Sequence, residues 1–116
     1  MSDKQHPCTM AAETGDAHDL VPAALETQIP ALYATERTAD PTVWIKLFTP
    51  DSSWTWYITE YDRADQLAFG LVVGFETELG YFSLAELRSI RGPLCLRIER
   101  DLYFEPRALS EVRAQL

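Results

Sequence analysis

Positive charge is scarce in this sequence: its 116 residues hold 10 Lys and Arg against 18 Asp and Glu, a formal net charge of −8. Nucleic-acid binding through phosphates needs clustered cations, and so does an anionic membrane surface, so both are disfavoured. Histidine is limited to His6 and His18, and cysteine to Cys8 and Cys95. Both histidines fall in a polar N-terminal stretch, and with Cys8 they match no zinc spacing. Cys8 in that stretch and Cys95 in an apolar run do not indicate a disulfide framework. Long apolar runs are missing as well. No stretch approaches the ~20 residues of a membrane helix, and MSDKQHPCTM lacks the apolar segment of a signal peptide. No phosphate loop, dinucleotide fingerprint or nucleophile elbow occurs. These absences lead to the expectation of a cytoplasmic protein with no cofactor and no catalytic residues.

What is present suits one globular domain: 47% of the residues are hydrophobic and the length leaves little room for a second core. Residues 1–19 are polar and read as a flexible tail, with a single α+β domain over 20–116. Pro22 followed by Ala23, Ala24, Leu25 and Ile29 suggests a short helix ending near Pro30. VWIKLF (43–48), WTWYITEY (54–61) and LAFGLVVGF (67–75) are rich in β-branched and aromatic residues, with turn residues between them. They predict a three-stranded antiparallel meander. Ser83 and Glu86 have capping-box spacing ahead of Leu87 and Ile90, and Gly92-Pro93 stops that helix. Residues 96–98 and 102–104 read as additional short strands, and Leu109, Val112 and Leu116 as a final helix, giving two or three short helices against the sheet.

Alternation of side chains along a strand sorts the meander into two faces. The register expected for the second hairpin sets Trp54, Trp56 and Ile58 opposite Phe75, Val73 and Leu71 on the core face, and Glu60 opposite Phe69. Val43, Ile45 and Leu47 join that face, because the alternative would bury Lys46 without a partner. Trp44, Phe48, Tyr57 and Tyr61 then share the second face over Gly70 and Gly74, as a platform for a partner or as the seat of a terminal helix.

Carboxylates are concentrated on the meander. Residues 51–86 carry Asp51, Glu60, Asp62, Asp65, Glu76, Glu78 and Glu86 against Arg63 alone, a net of −6. Glu60 and Asp62 lie too far from Glu76 and Glu78 to share a cation, which leaves Asp51, Glu76 and Glu78 as the candidate metal set. The one basic cluster is Arg88, Arg91, Arg97 and Arg100.

The runs IPALYATE (29–36), FTPDSSWTWYITEYD (48–62), ELGYFSLAELRSIRGPL (78–94) and IERDLYFEP (98–106) resemble a bacterial family of uncharacterised small domains of plasmids and other mobile elements, often encoded near antirestriction genes. The resemblance covers roughly residues 20–112. It implies an accessory protein of a mobile element, and some members bear the label of a single-stranded DNA endonuclease with no catalytic set attached. The leading expectation is therefore a non-enzymatic inhibitor of a host nucleic-acid-handling or defence complex, of the antirestriction or anti-CRISPR type. It would bind a protein or ribonucleoprotein with a basic surface by charge mimicry, without touching nucleic acid or membrane itself. Asp51, Glu60, Asp62, Asp65, Glu76 and Glu78 would supply the charge, with Trp44 and Tyr57 as anchors. The alternative is a metal-dependent endonuclease using Asp51, Glu76 and Glu78. A homodimer through the aromatic face is a third reading.

Overall fold

Two hairpins with local turn signals organise the chain. In the computed structural model, which describes residues 19–116, the strand run 43–48 is split into β1 (Thr42–Val43) and β2 (Ile45–Phe48). The next two runs form β3 (Thr55–Asp62) and β4 (Leu67–Val73). A further strand, β5 (Thr77–Ser83), follows after a short turn and leads into a helix that begins at Leu84. Short β6 (Glu99–Arg100) and β7 (Arg107–Ala108) complete the strands. The main sheet has five antiparallel strands in the order β5-β4-β3-β2-β6, and β1 pairs with β7 in a small sheet of its own. The chain is thus α+β, mostly antiparallel sheet with a few short helices. The tail expected over 1–19, with His6, Cys8 and His18, lies outside the described residues except for Asp19.

The helices are brief. α1 covers Ala23–Glu26 after Pro22, whose C=O accepts from the Leu25 and Glu26 N–H groups at 3.0 and 2.9 Å. α2 covers Leu84–Ser89, and the Ser83 hydroxyl accepts from the Glu86 N–H at 3.2 Å, the cap that the spacing predicts. It stops before Ile90, which is extended and exposed. α3 covers Leu109–Ala114 and buries Leu109 and Val112, while Leu116 is exposed. Its N-cap, Ala108, has no side chain able to cap. Asp40 serves instead: its carboxylate accepts from the Ser110 N–H at 2.8 Å and the Ser110 hydroxyl at 2.6 Å.

The registers differ from expectation at two irregularities. Glu60, Tyr61 and Asp62 do pair with Phe69, Ala68 and Leu67. Beyond a bulge at Thr59, however, Ile58 faces Gly70 and Trp56 faces Val72, one residue from the expected partners. The Thr59 hydroxyl donates to the Phe69 C=O at 3.0 Å, which gives the extra residue a partner. The bulge reverses side-chain parity, so Tyr57 and Tyr61 sit on opposite faces of the sheet. In the first hairpin Ile45 pairs with Ile58 and Leu47 with Trp56, a slip of two residues that preserves the faces. The break at Trp44 sends Val43 to the other side.

Both faces are consequently covered. Ile45, Leu47, Trp56, Ile58 and Tyr61 pack with Leu84 and Leu87 of α2 and with Leu20, Val21 and Ile29. Val43, Tyr57 and Leu71 pack with Leu109 and Val112 of α3. Gly70 is required between β3 and β4, because a Cβ there would overlap the Tyr57 carbonyl. Residues 96–98 and 102–104 are not strands. Asp101 turns the second segment, its carboxylate accepting from the Tyr103 N–H at 2.9 Å. Cys95, with a φ of 67°, is disulfide-bonded, contrary to the sequence expectation, and the chain's other cysteine lies outside the described residues. Among the described residues no helix is long and apolar enough to cross a membrane.

Candidate functional site

The carboxylates expected to form one acidic surface have divergent fates. Glu60 is 3% exposed. Its Oε1 accepts from the Tyr33 N–H at 2.7 Å and its Oε2 from the Thr35 N–H at 2.9 Å, and the Thr35 hydroxyl donates to Oε2 as well. These bonds hold the 31–37 turns against β3 and stabilise Tyr33 at a φ of 70°, a conformation costly for a residue with a side chain. Glu60 is therefore an internal tether and cannot meet a partner. Asp51 is half-buried, and its Oδ2 accepts from the Leu94 N–H at 2.7 Å, which joins the β2–β3 turn to the loop after α2. A Cβ on Gly92 would overlap this same carboxylate.

Asp62 and Asp65 lie at the β3–β4 turn, where Asp62 accepts from the Ala64 N–H at 3.1 Å and Asp65 is exposed. Glu76 and Glu78 are exposed at the opposite end of β4, in the β4–β5 turn and on β5. Seven residues of β4 separate the two turns, roughly 23 Å at the usual rise, so the acids form two groups and not one patch. The candidate metal set is not assembled either. Asp51 is engaged by the 92–96 loop, and among the described residues no group of three His, Cys, Asp or Glu side chains is placed to hold a cation.

The expected anchors are also internal. Tyr57 is 7% exposed beneath α3, and burial, reinforced by the nearby Asp101 charge and opposed by Arg107, pushes its phenol above the ordinary tyrosine value. It stays protonated at neutral pH and offers no base. Trp44 is half-buried against the α2-side core, with its Nε1 sequestered from solvent.

One exposed aromatic that sequence reasoning missed is Phe75. It was expected in the core opposite Trp54, yet β4 ends at Val73, and the Gly74 N–H donates to the Glu76 C=O at 3.0 Å to turn the chain. Phe75 then projects from the turn, 94% exposed, with its ring edge-on to Trp54 at 5.4 Å. Trp54 in turn stacks on Trp56 at 6.0 Å and lies over Gly74, where a Cβ would overlap its ring. A glycine beside an aromatic at the end of a strand pattern was the available signal. The result is a protruding apolar side chain braced from the core and flanked by Glu76 and Glu78.

A second feature lies on the α3 side, an open cleft of about 530 Å³ lined by Phe48, Thr55, Asp101 and Tyr103 among others. Its floor holds Lys46 and Asp101, paired at 3.7 Å. The pair neutralises itself.

No curated protein and no solved structure was found to match the chain. A family profile, described as "Protein of unknown function (DUF2958)", matches residues 17–114. The chain belongs to this family, DUF2958, whose function is unknown.

Proposed function

We propose that the protein is a non-enzymatic binding protein that presents the tip of its β4–β5 hairpin to a basic surface of a partner protein or ribonucleoprotein. The observation that carries this reading is Phe75, 94% exposed, braced by Trp54 and flanked by the exposed carboxylates of Glu76 and Glu78. An aromatic held in place loses little freedom on docking, and aromatic anchors dominate the energetics of many interfaces. The carboxylates add steering and select against acidic partners. Asp62 and Asp65, at the far end of β4, form a separate acidic site that a large partner would also reach. The resemblance to mobile-element proteins directs the reading to a host nucleic-acid-handling or defence complex in the bacterial cytoplasm, inhibited by occupation of a basic channel.

The test is capture of partners from bacterial lysate with the full chain, washed at low and high salt. It is repeated with Glu76→Lys/Glu78→Lys and with Phe75→Ala. A basic nucleic-acid-processing complex held at low salt, released at high salt and lost by the charge reversal is the expected result. Phe75→Ala should weaken binding roughly thirtyfold, the effect of removing an anchor worth about 2 kcal/mol. Retention unchanged by either variant would refute the reading.

A further inference from the structure

The two edges of the main sheet are finished differently. β6 has two residues, whereas β5 has seven and pairs with β4 in an unbroken register from Thr77↔Val73 to Ser83↔Leu67. β5 carries one charge, Glu78, and neither lysine nor proline. Soluble proteins usually blunt an edge by shortness, bulges or charge, because its outward N–H and C=O groups recruit another strand. The even-numbered residues at either end of β5 turn inward: the Glu76 C=O accepts from Gly74, and the Leu84 N–H donates to the Gln66 C=O. By alternation, the main-chain groups of Thr77, Leu79, Tyr81 and Ser83 point away from β4. Among the described residues no strand pairs with that side. Beside it Leu79, Tyr81 and Tyr33 are 45%, 49% and 58% exposed, with Tyr81 packed on Phe69 at 4.8 Å.

We propose that β5 pairs antiparallel with β5 of a second copy of the chain, about a two-fold axis through Gly80. The strand is self-complementary about this residue, its midpoint. Full overlap sets Leu79 opposite the partner's Tyr81 and Thr77 opposite the partner's Ser83, pairs of the outward-facing parity that can exchange main-chain hydrogen bonds. It also sets Glu78 opposite the partner's Phe82. A two-fold axis that keeps the sheet faces allows only slips that centre the pairing on another residue of the strand, and centring on Glu78 would put like charges face to face. Gly80 suits the axis, because a Cβ there meets nothing within 4 Å and its backbone is not in the left-handed region. The dimer would hold two Phe75 tips, each five residues from the axis, roughly 33 Å apart. This inference is independent of partner binding, and its salt response has the opposite sign. Two chains of net charge −8 repel, so salt strengthens the dimer while it weakens an acidic tip on a basic partner.

The experiment is solution mass by light scattering on the full chain across concentration and salt, combined with cysteine scanning of β5. The unsubstituted protein serves as the control for Cys8 and Cys95. The expected mass rises with concentration and salt from 13.2 kDa towards twice that value. Gly80→Cys should form a disulfide-linked dimer on mild oxidation, since the two positions face each other within bridging distance. Glu78→Cys should not, because its two copies lie four residue steps apart, about 13 Å along the strand. Leu79→Glu, at an exposed position, should return the mass to monomer without loss of folded circular dichroism. A monomer at every concentration with no Gly80→Cys dimer overturns the proposal. So does equal cross-linking at 78 and 80.

Discussion

The indole of Trp54 fills the space that any side chain at Gly74 would need, so the hairpin tip is shaped by a missing Cβ. Gly74→Ala should therefore displace Trp54 and loosen its edge contact with Phe75. A loss of roughly 1–3 kcal/mol is expected from overpacking, with a shift in tryptophan emission. Thermal unfolding followed by fluorescence checks both. An unchanged midpoint and spectrum would mean that Trp54 does not brace the tip.

Glu60→Gln separates the structural carboxylate from the surface ones. Glutamine has one acceptor oxygen where Glu60 uses two, so one of the N–H groups of Tyr33 and Thr35 loses its partner. Denaturant unfolding should show a loss of about 1–3 kcal/mol. Binding to a basic partner should be unaltered, in contrast to substitutions at Glu76 and Glu78.

The glycines of the central hairpins should rank steeply. Gly70→Ala drives a methyl group into the Tyr57 carbonyl, and a cost above about 3 kcal/mol is expected, measured as loss of soluble, folded protein. Gly80→Ala meets open space and should shift stability by less than about 0.5 kcal/mol.

Acid should expose the role of Asp40. Its hydrogen bonds from Ser110, the hydroxyl first and the amide second, hold its carboxyl below the usual aspartate value. A group whose native pKa is depressed contributes stability above its unfolded value, near 3.9, and loses it as pH falls through the lower native value. Asp40→Ala should accordingly lower the thermal midpoint at neutral pH. The gap to the unsubstituted protein should close progressively below about pH 4. A gap that is independent of pH would assign the effect to packing.

Where signals were local, the sequence was readable. Ser83 caps α2 from three residues away, and Glu60↔Phe69 follows from a short turn. Thr59 carries no residue-level mark of a bulge, so parity failed beyond it and Tyr57 and Tyr61 were placed together. β5 escaped because TELGYFS mixes a charge, a glycine and a helix cap in seven residues. The site was less legible than the fold. A carboxylate on the surface and one satisfied by amides 25 and 27 residues away look alike in a charge count, as Glu60 shows. Phe75 reads as core until the strand is known to stop at Val73.

The bulge at Thr59 makes β3 a shared axle. Before it, odd-numbered Tyr57 belongs to the layer under α3; after it, odd-numbered Tyr61 belongs to the layer under α2. Deleting Thr59 would leave Ile58↔Gly70 and Glu60↔Phe69 as consecutive pairs of a regular ladder, with each side chain kept in its own layer. Because the same eight residues dress both layers, neither can melt while its neighbour keeps a complete wall. The two cores are thereby bound into one cooperative transition.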